Sequence, residues 1–120
     1  MEQQFSFEKL VAWQYSRRLV KLVYELVKKF PHEEKYALSD QIRRAIVSVP
    51  SNIAEGSGRM SKGEQRHFYE ISYGSLMEVY NQLILAYDLG FINEDELMQI
   101  REPIWTTAKV ISALRNSINS

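Results

Sequence analysis

Apolar residues recur at steps of three and four along most of this chain, and no segment alternates apolar with polar as a half-buried strand would. That period restricts the chain to helices packed on helices. Leu10, Trp13, Val20, Val23, Val27 and Phe30 define a first helix, roughly Phe7 to Lys29, stopped by Pro31. After the linker "PHEEK", the row Leu38, Ile42, Ala45, Ile46, Val49 and Ile53 keeps phase through Pro50, and the second helix ends near Gly56 to Gly58. An interior proline costs an isolated helix about 3 kcal/mol, so this continuity predicts a kinked helix held by tertiary packing. Helix three opens at "SKGE", where Ser61 and Glu64 can form a reciprocal capping box, and closes at Gly90. Helix four starts after Asn93, with three carboxylates at the positive end of its dipole, and its row Leu97, Ile100, Ile104, Ala108 and Ile111 runs past Pro103, a second expected kink. Short connections make neighbours antiparallel, so the fold expected is all-α: an up-down-up-down four-helix bundle.

With 120 residues, 45% of them apolar, the chain suits one domain with a single core. Fifteen basic and fifteen acidic side chains give no net charge, so any attraction to nucleic acid or membrane must come from local patches. The absence of cysteine excludes disulfides, thiolate metal sites and a cysteine nucleophile. The start "MEQQFSFEK" lacks the features of a signal peptide, and the run "LILAY" is too short to cross a bilayer. A cytoplasmic protein without membrane contact is the expectation.

Helix three carries more apolar surface than one core requires. Tyr73, Tyr80 and Tyr87 stand seven apart, Tyr69, Leu76 and Leu83 form a companion row, and Phe68, Ile71, Val79 and Ala86 make a second stripe. Tyrosine suits surfaces that are apolar at one end and wet at the other, so Tyr69, Tyr73, Tyr80 and Tyr87 are candidates for an oligomer interface. The alternative is a broad core-facing arc on the most central helix.

The stretch "VPSNIAEGSGRMSKGEQ" sets polar residues and three glycines beside an apolar run. Gly56 continues the buried row from Ile53 and would let another helix approach closely, while Asn52, Glu55 and Arg59 share a neighbouring face. Glu78 on helix three is expected to meet Arg43, Arg44 or Arg59. The set Asn52, Glu55, Arg59 and Glu78 is either a ligand site or a buried network fixing helix register; mutual pairing of these charges favours the network.

Two basic clusters stand out. The first quarter of the chain, residues 1–30, holds six basic against three acidic residues, with Arg17, Lys21 and Lys28 on one face and Arg18 at its flank. Arg59, Lys62, Arg66 and His67 surround the turn between helices two and three. Either cluster can track phosphates, and each can equally be a solvated, salt-bridged face, since Glu25 and Glu64 are interleaved.

The segments "FEKLVAWQYS", "SDQIRRAIVSVPSNIAEGSGR" and "RHFYEISYGSLMEV" resemble the S23, or 23S rRNA intervening-sequence, family of four-helix-bundle proteins, over residues 7 to about 90. Helix four fits that family in length and character only. The resemblance implies a left-handed antiparallel bundle assembled as a homopentameric ring, without known catalytic activity. It also implies that some members are encoded within large-subunit rRNA genes, while a related group accompanies a reverse transcriptase and nucleic acid.

The residues themselves give catalysis little foundation. "EQRH" supplies one Glu-x-x-His half-motif, Glu64 to His67, where a di-iron bundle needs two and two further carboxylates. The run "EGSGRMSKGE" lacks the ending and the preceding strand of a phosphate loop, and "YGSLM" lies inside a helix rather than at a nucleophile elbow. Neither a metal site nor a cofactor is expected. The expectation is a non-enzymatic homo-oligomer that binds RNA or an RNA-containing complex, including one with a reverse-transcriptase-type protein; the alternative is a protein-interaction scaffold without nucleic-acid contact.

Overall fold

The computed structural model describes residues 3–34 and 37–119; Met1 and Glu2 at the start of the chain and Lys35 of the "PHEEK" linker lie outside the described residues. Four long helices carry the fold: α1 (Val11–Val27), α2 (Leu38–Ser57), α3 (Lys62–Asp88) and α4 (Glu94–Ser117), and no strand occurs among the described residues. Each helix packs on its neighbours in sequence and α4 closes back on α1, while among the described residues the diagonal pairs stand further apart. Cross-helix contacts set the directions. Ser48 meets Ser75 and Gln41 meets Gln82 between α2 and α3, Glu70 meets Arg115 between α3 and α4, and Lys29 meets Glu96 between α1 and α4. These pairings require antiparallel neighbours, so the expected up-down-up-down bundle is what forms.

The core draws on all four helices. Leu19, Val23 and Val27, then Ile42, Ile46, Val49 and Ile53, then Leu76, Val79 and Leu83, and finally Ile104 and Ile111 are almost wholly removed from water. In α2 and α4 these are the rows expected from the period; in α1 Leu19 is buried while the expected Leu10, Trp13 and Val20 are only partly so, and in α3 the buried residues come from both expected stripes, with Ile71 left exposed. Gly56 also performs as expected. A Cβ there would stand 2.9 Å from Phe68 Cβ and 2.9 Å from Tyr69 Cε1, so its bare Cα is what brings the end of α2 onto α3.

Both helices containing prolines run continuously past them. Side-chain donors gather on nearby carbonyls: Asn52 Nδ2 donates to the Ser48 carbonyl at 2.8 Å and Ser72 Oγ to that of Val49 at 2.8 Å, while Thr107 Oγ1 donates to Pro103 itself at 2.7 Å. The buried Ser72 bond also ties α3 to α2.

The first helix is shorter than its period predicts. Ser6–Lys9 form a separate 3₁₀ turn, and Leu10 is extended before α1 begins. The Glu8 carboxylate accepts from the Phe5 amide at 2.8 Å and the Glu8 carbonyl accepts from Gln14 Nε2 at 3.0 Å, which folds the turn back on α1. The other caps follow the reading in part. Ser61 Oγ accepts from the Glu64 amide at 3.1 Å, but the returning Glu64 carboxylate meets the Ser61 hydroxyl, not its backbone amide, so this box is not reciprocal in the expected sense. Asn93 does form a full box with Glu96. Gly90, at φ +81°, ends α3 with its amide on the Tyr87 carbonyl and the Phe91 amide on that of Ala86, the paired bonds of a Schellman closure.

Candidate nucleic-acid interface

Helix α1 puts its apolar stripe into the core and leaves Arg17, Arg18 and Lys21 exposed on its outer face. Among the described residues none of these three cations has a carboxylate partner. Arg17 lies over the Trp13 ring at 5.3 Å from its centroid, and Arg18 over Tyr15 at 5.4 Å. Such stacking holds a guanidinium in place while its N–H edge stays available to an acceptor. With Gln4, Glu8, Gln14 and Leu22, these residues line an open groove of about 830 Å³. Lys28 does not belong to it: seven residues further on, about 10 Å along the helix, it pairs with Glu25 at 3.3 Å.

The second basic cluster is largely engaged within the chain. Arg59 pairs with Glu55 at 2.9 Å, approaches Glu64 at 4.0 Å and lies 4.6 Å over the Phe68 ring. Arg66 Nη1 donates to the Ile118 carbonyl at 3.4 Å, and His67 packs edge-on to Phe68. Lys62, exposed in the first turn of α3, has no carboxylate partner among the described residues. This turn is chiefly a junction joining the ends of α2, α3 and α4.

The expected four-residue polar network divides into separate parts. Asn52 turns to Ser48, whose hydroxyl reaches Ser75 at 2.9 Å across the α2–α3 seam. Glu55 and Arg59 form their own pair, with side chains 53% and 40% exposed, too open for a buried network. Glu78 meets none of Arg43, Arg44 or Arg59. It is exposed and accepts from Gln82 Nε2 at 3.4 Å, while Arg44 pairs with Asp40 and Arg43 lies over Tyr24. The α2–α3 register explains this, because it places Gln41 rather than an arginine opposite Gln82.

Of the candidate interface tyrosines, Tyr69 is a correction: at 3% exposure it is in the bundle's own core, against Gly56, and burial raises its phenol pKa. Tyr80 is partly buried against that core, whereas Tyr73 and Tyr87 keep over a third of their surface exposed. The antiparallel register set by Glu70 and Arg115 brings this face alongside Met98 and Trp105 of α4, both more than half exposed. Met77 and Ile84 extend the same strip. Trp105 was not among the residues singled out by period or motif; its signal was a tryptophan on the polar side of a helix whose core row was already complete.

No curated protein sequence matches the chain significantly. A crystal structure of a protein of unknown function from the S23 ribosomal protein family of Bacteroides thetaiotaomicron VPI-5482 is similar, with a TM-score of 0.80 and 21% identity, covering 88% of this chain and 98% of that one. At that identity the likeness shows the fold alone. The family model for the 23S rRNA-intervening sequence protein matches residues 8–113, reaching well into α4, beyond the segment where the motifs were legible. With that match spanning most of the chain and the bundle geometry in agreement, the chain belongs to the 23S rRNA-intervening sequence protein family.

Proposed function

We propose that this protein is a non-catalytic, self-associating helical bundle that binds RNA through the outer face of α1. The observation carrying this reading is the set of three neighbouring cations, Arg17, Arg18 and Lys21, without intrachain carboxylate partners among the described residues, two of them stacked on aromatic rings. Lys28, Lys29, Arg44, Arg59 and Arg115 are each neutralised by a close carboxylate, whereas Arg17, Arg18 and Lys21 are not and line a single groove, which gathers local positive potential in a net-neutral molecule. The family's description, which refers to intervening sequences of 23S rRNA, supports RNA as the polyanion. Assembly repeats the patch around the oligomer, five times in the ring that the family resemblance implies, and weak phosphate contacts then add.

The test is the salt dependence of RNA binding. The double variant Arg17→Gln, Lys21→Gln should bind more weakly and with a flatter dependence on salt, because each lost phosphate contact removes about one released counterion. Melting temperature should not change, since exposed charges contribute little to folding. If the intact protein binds no RNA at low salt, the reading fails and a protein-interaction scaffold takes its place.

A further inference from the structure

We infer that the α1 groove is built for unpaired nucleotides, with Phe5 as an open stacking platform at its mouth; the inference rests on the RNA-binding reading above. Phe5 is 76% exposed, an unusual position for a large apolar ring on an ordered segment. It is held there by defined contacts. Its amide donates to the Glu8 carboxylate at 2.8 Å, and its ring lies parallel to that of Phe7, 8° between planes and 6.4 Å between centroids. Phe7 in turn meets Trp13 edge-on at 5.0 Å, and Trp13 carries the Arg17 guanidinium. An aromatic series therefore leads from solvent directly to the unpaired cations.

This order of groups matches what a single strand offers. Its phosphates need cations, its exposed base faces need aromatic rings, and its base edges can use amides such as those of Gln4 and Gln14 on the groove wall. A duplex gains nothing from Phe5, because its base faces are covered by stacking, and an A-form helix would touch only the cations through its phosphates. An acidic peptide could likewise neutralise Arg17, Arg18 and Lys21 but has no flat rings to place on Phe5. The aromatic series is thus the feature that selects among polyanions.

Fluorescence anisotropy at low salt with the full chain tests this, using three probes of equal length: a single-stranded oligouridine, an abasic strand and an RNA duplex. The oligouridine should bind tightest. Phe5→Ala should weaken it about fivefold or more, with duplex binding and melting temperature unchanged, and Phe5→Trp should restore it. Equal affinity for the abasic strand or the duplex, or indifference of oligouridine to Phe5→Ala, overturns the stacking site while leaving charge-based RNA binding intact. Failure of all three probes to bind rejects the RNA reading as well.

Discussion

Gly56 shows how one hydrogen atom in place of a methyl group sets the distance between two helices. Its missing Cβ would fall on Phe68 Cβ, which moves only with the α3 backbone, and on the buried Tyr69 ring. Gly56→Ala gains about 1 kcal/mol of helix propensity but loses about 1–3 kcal/mol to overpacking. We expect a net loss and a fall of several degrees in melting temperature; an unchanged or higher value would mean the seam parts freely. This role was legible because a glycine inside a buried apolar row forfeits both helix propensity and core contacts, a double loss that close helix approach offsets. The neighbouring polar residues were not legible in the same way. Helical spacing correctly put Glu55 and Arg59 within reach of each other, but the partner of Glu78 depends on the register between α2 and α3, which no local pattern states. That register also brings Gln82 Nε2 to Gln41 while no protein donor among the described residues reaches Gln82 Oε1, a pairing that helical spacing alone does not state.

At the scale of whole elements, the caps and stops were readable because each is a local chemical requirement. Asn93 satisfies the amide of Glu96, and Gly90 takes the positive φ that a side chain would resist. The break between the 3₁₀ turn and α1 was not, since it arises from Phe7 packing on Trp13, from the Phe5 amide on the Glu8 carboxylate and from Gln14 reaching back to Glu8. The start of α4 also carries a tertiary contact. The Lys29 ammonium donates to the Glu96 carboxylate, which also accepts from the Asn93 amide, and these two bonds hold the Glu96 pKa below the ordinary glutamate value. A carboxyl whose pKa is depressed on folding stabilises the fold above its unfolded pKa, and that contribution is lost as pH falls through the folded value. Glu96→Gln should therefore lower the melting temperature at neutral pH, with the difference from the parent protein vanishing in acid below the usual carboxylate range. A difference that persists there would assign the effect to packing at the cap and not to ionisation.

Over the molecule as a whole, the antiparallel order gathers the start of α1, the turn after α2 and the end of α4 at one pole, where Arg17, Arg18, Arg59, Lys62 and Arg66 lie. The opposite pole receives the Glu94, Asp95 and Glu96 run together with Asp88 and Asp40. Each pole also holds opposite charges, Glu55, Glu64 and Glu70 at the first and Lys28, Lys29, Arg43 and Arg44 at the second, so folding segregates charge along the bundle only in part. The apolar strip of Tyr73, Met77, Ile84 and Tyr87 beside Met98 and Trp105 is a second whole-molecule feature, assembled from two helices that are each unremarkable alone. Beside it Gly74 lies at an open groove of about 390 Å³ between α3 and α4, with nothing within 4 Å of where its Cβ would be. A mid-helix glycine costs about 1 kcal/mol relative to alanine, and close approach of a second copy offers a reason for it that the single chain does not. We expect light scattering after size exclusion at micromolar concentration to find an oligomer, and Trp105→Glu to shift it toward monomer, because the interface would then have to bury a carboxylate. The folded subunit should tolerate that change. Trp105 is 54% exposed, and Arg101 and Lys109, each 5.7 Å from its ring centroid, stand ready to pair with the new carboxylate. A monomeric parent protein would return the strip to ordinary surface, and an oligomer indifferent to Trp105→Glu would move the interface to another face.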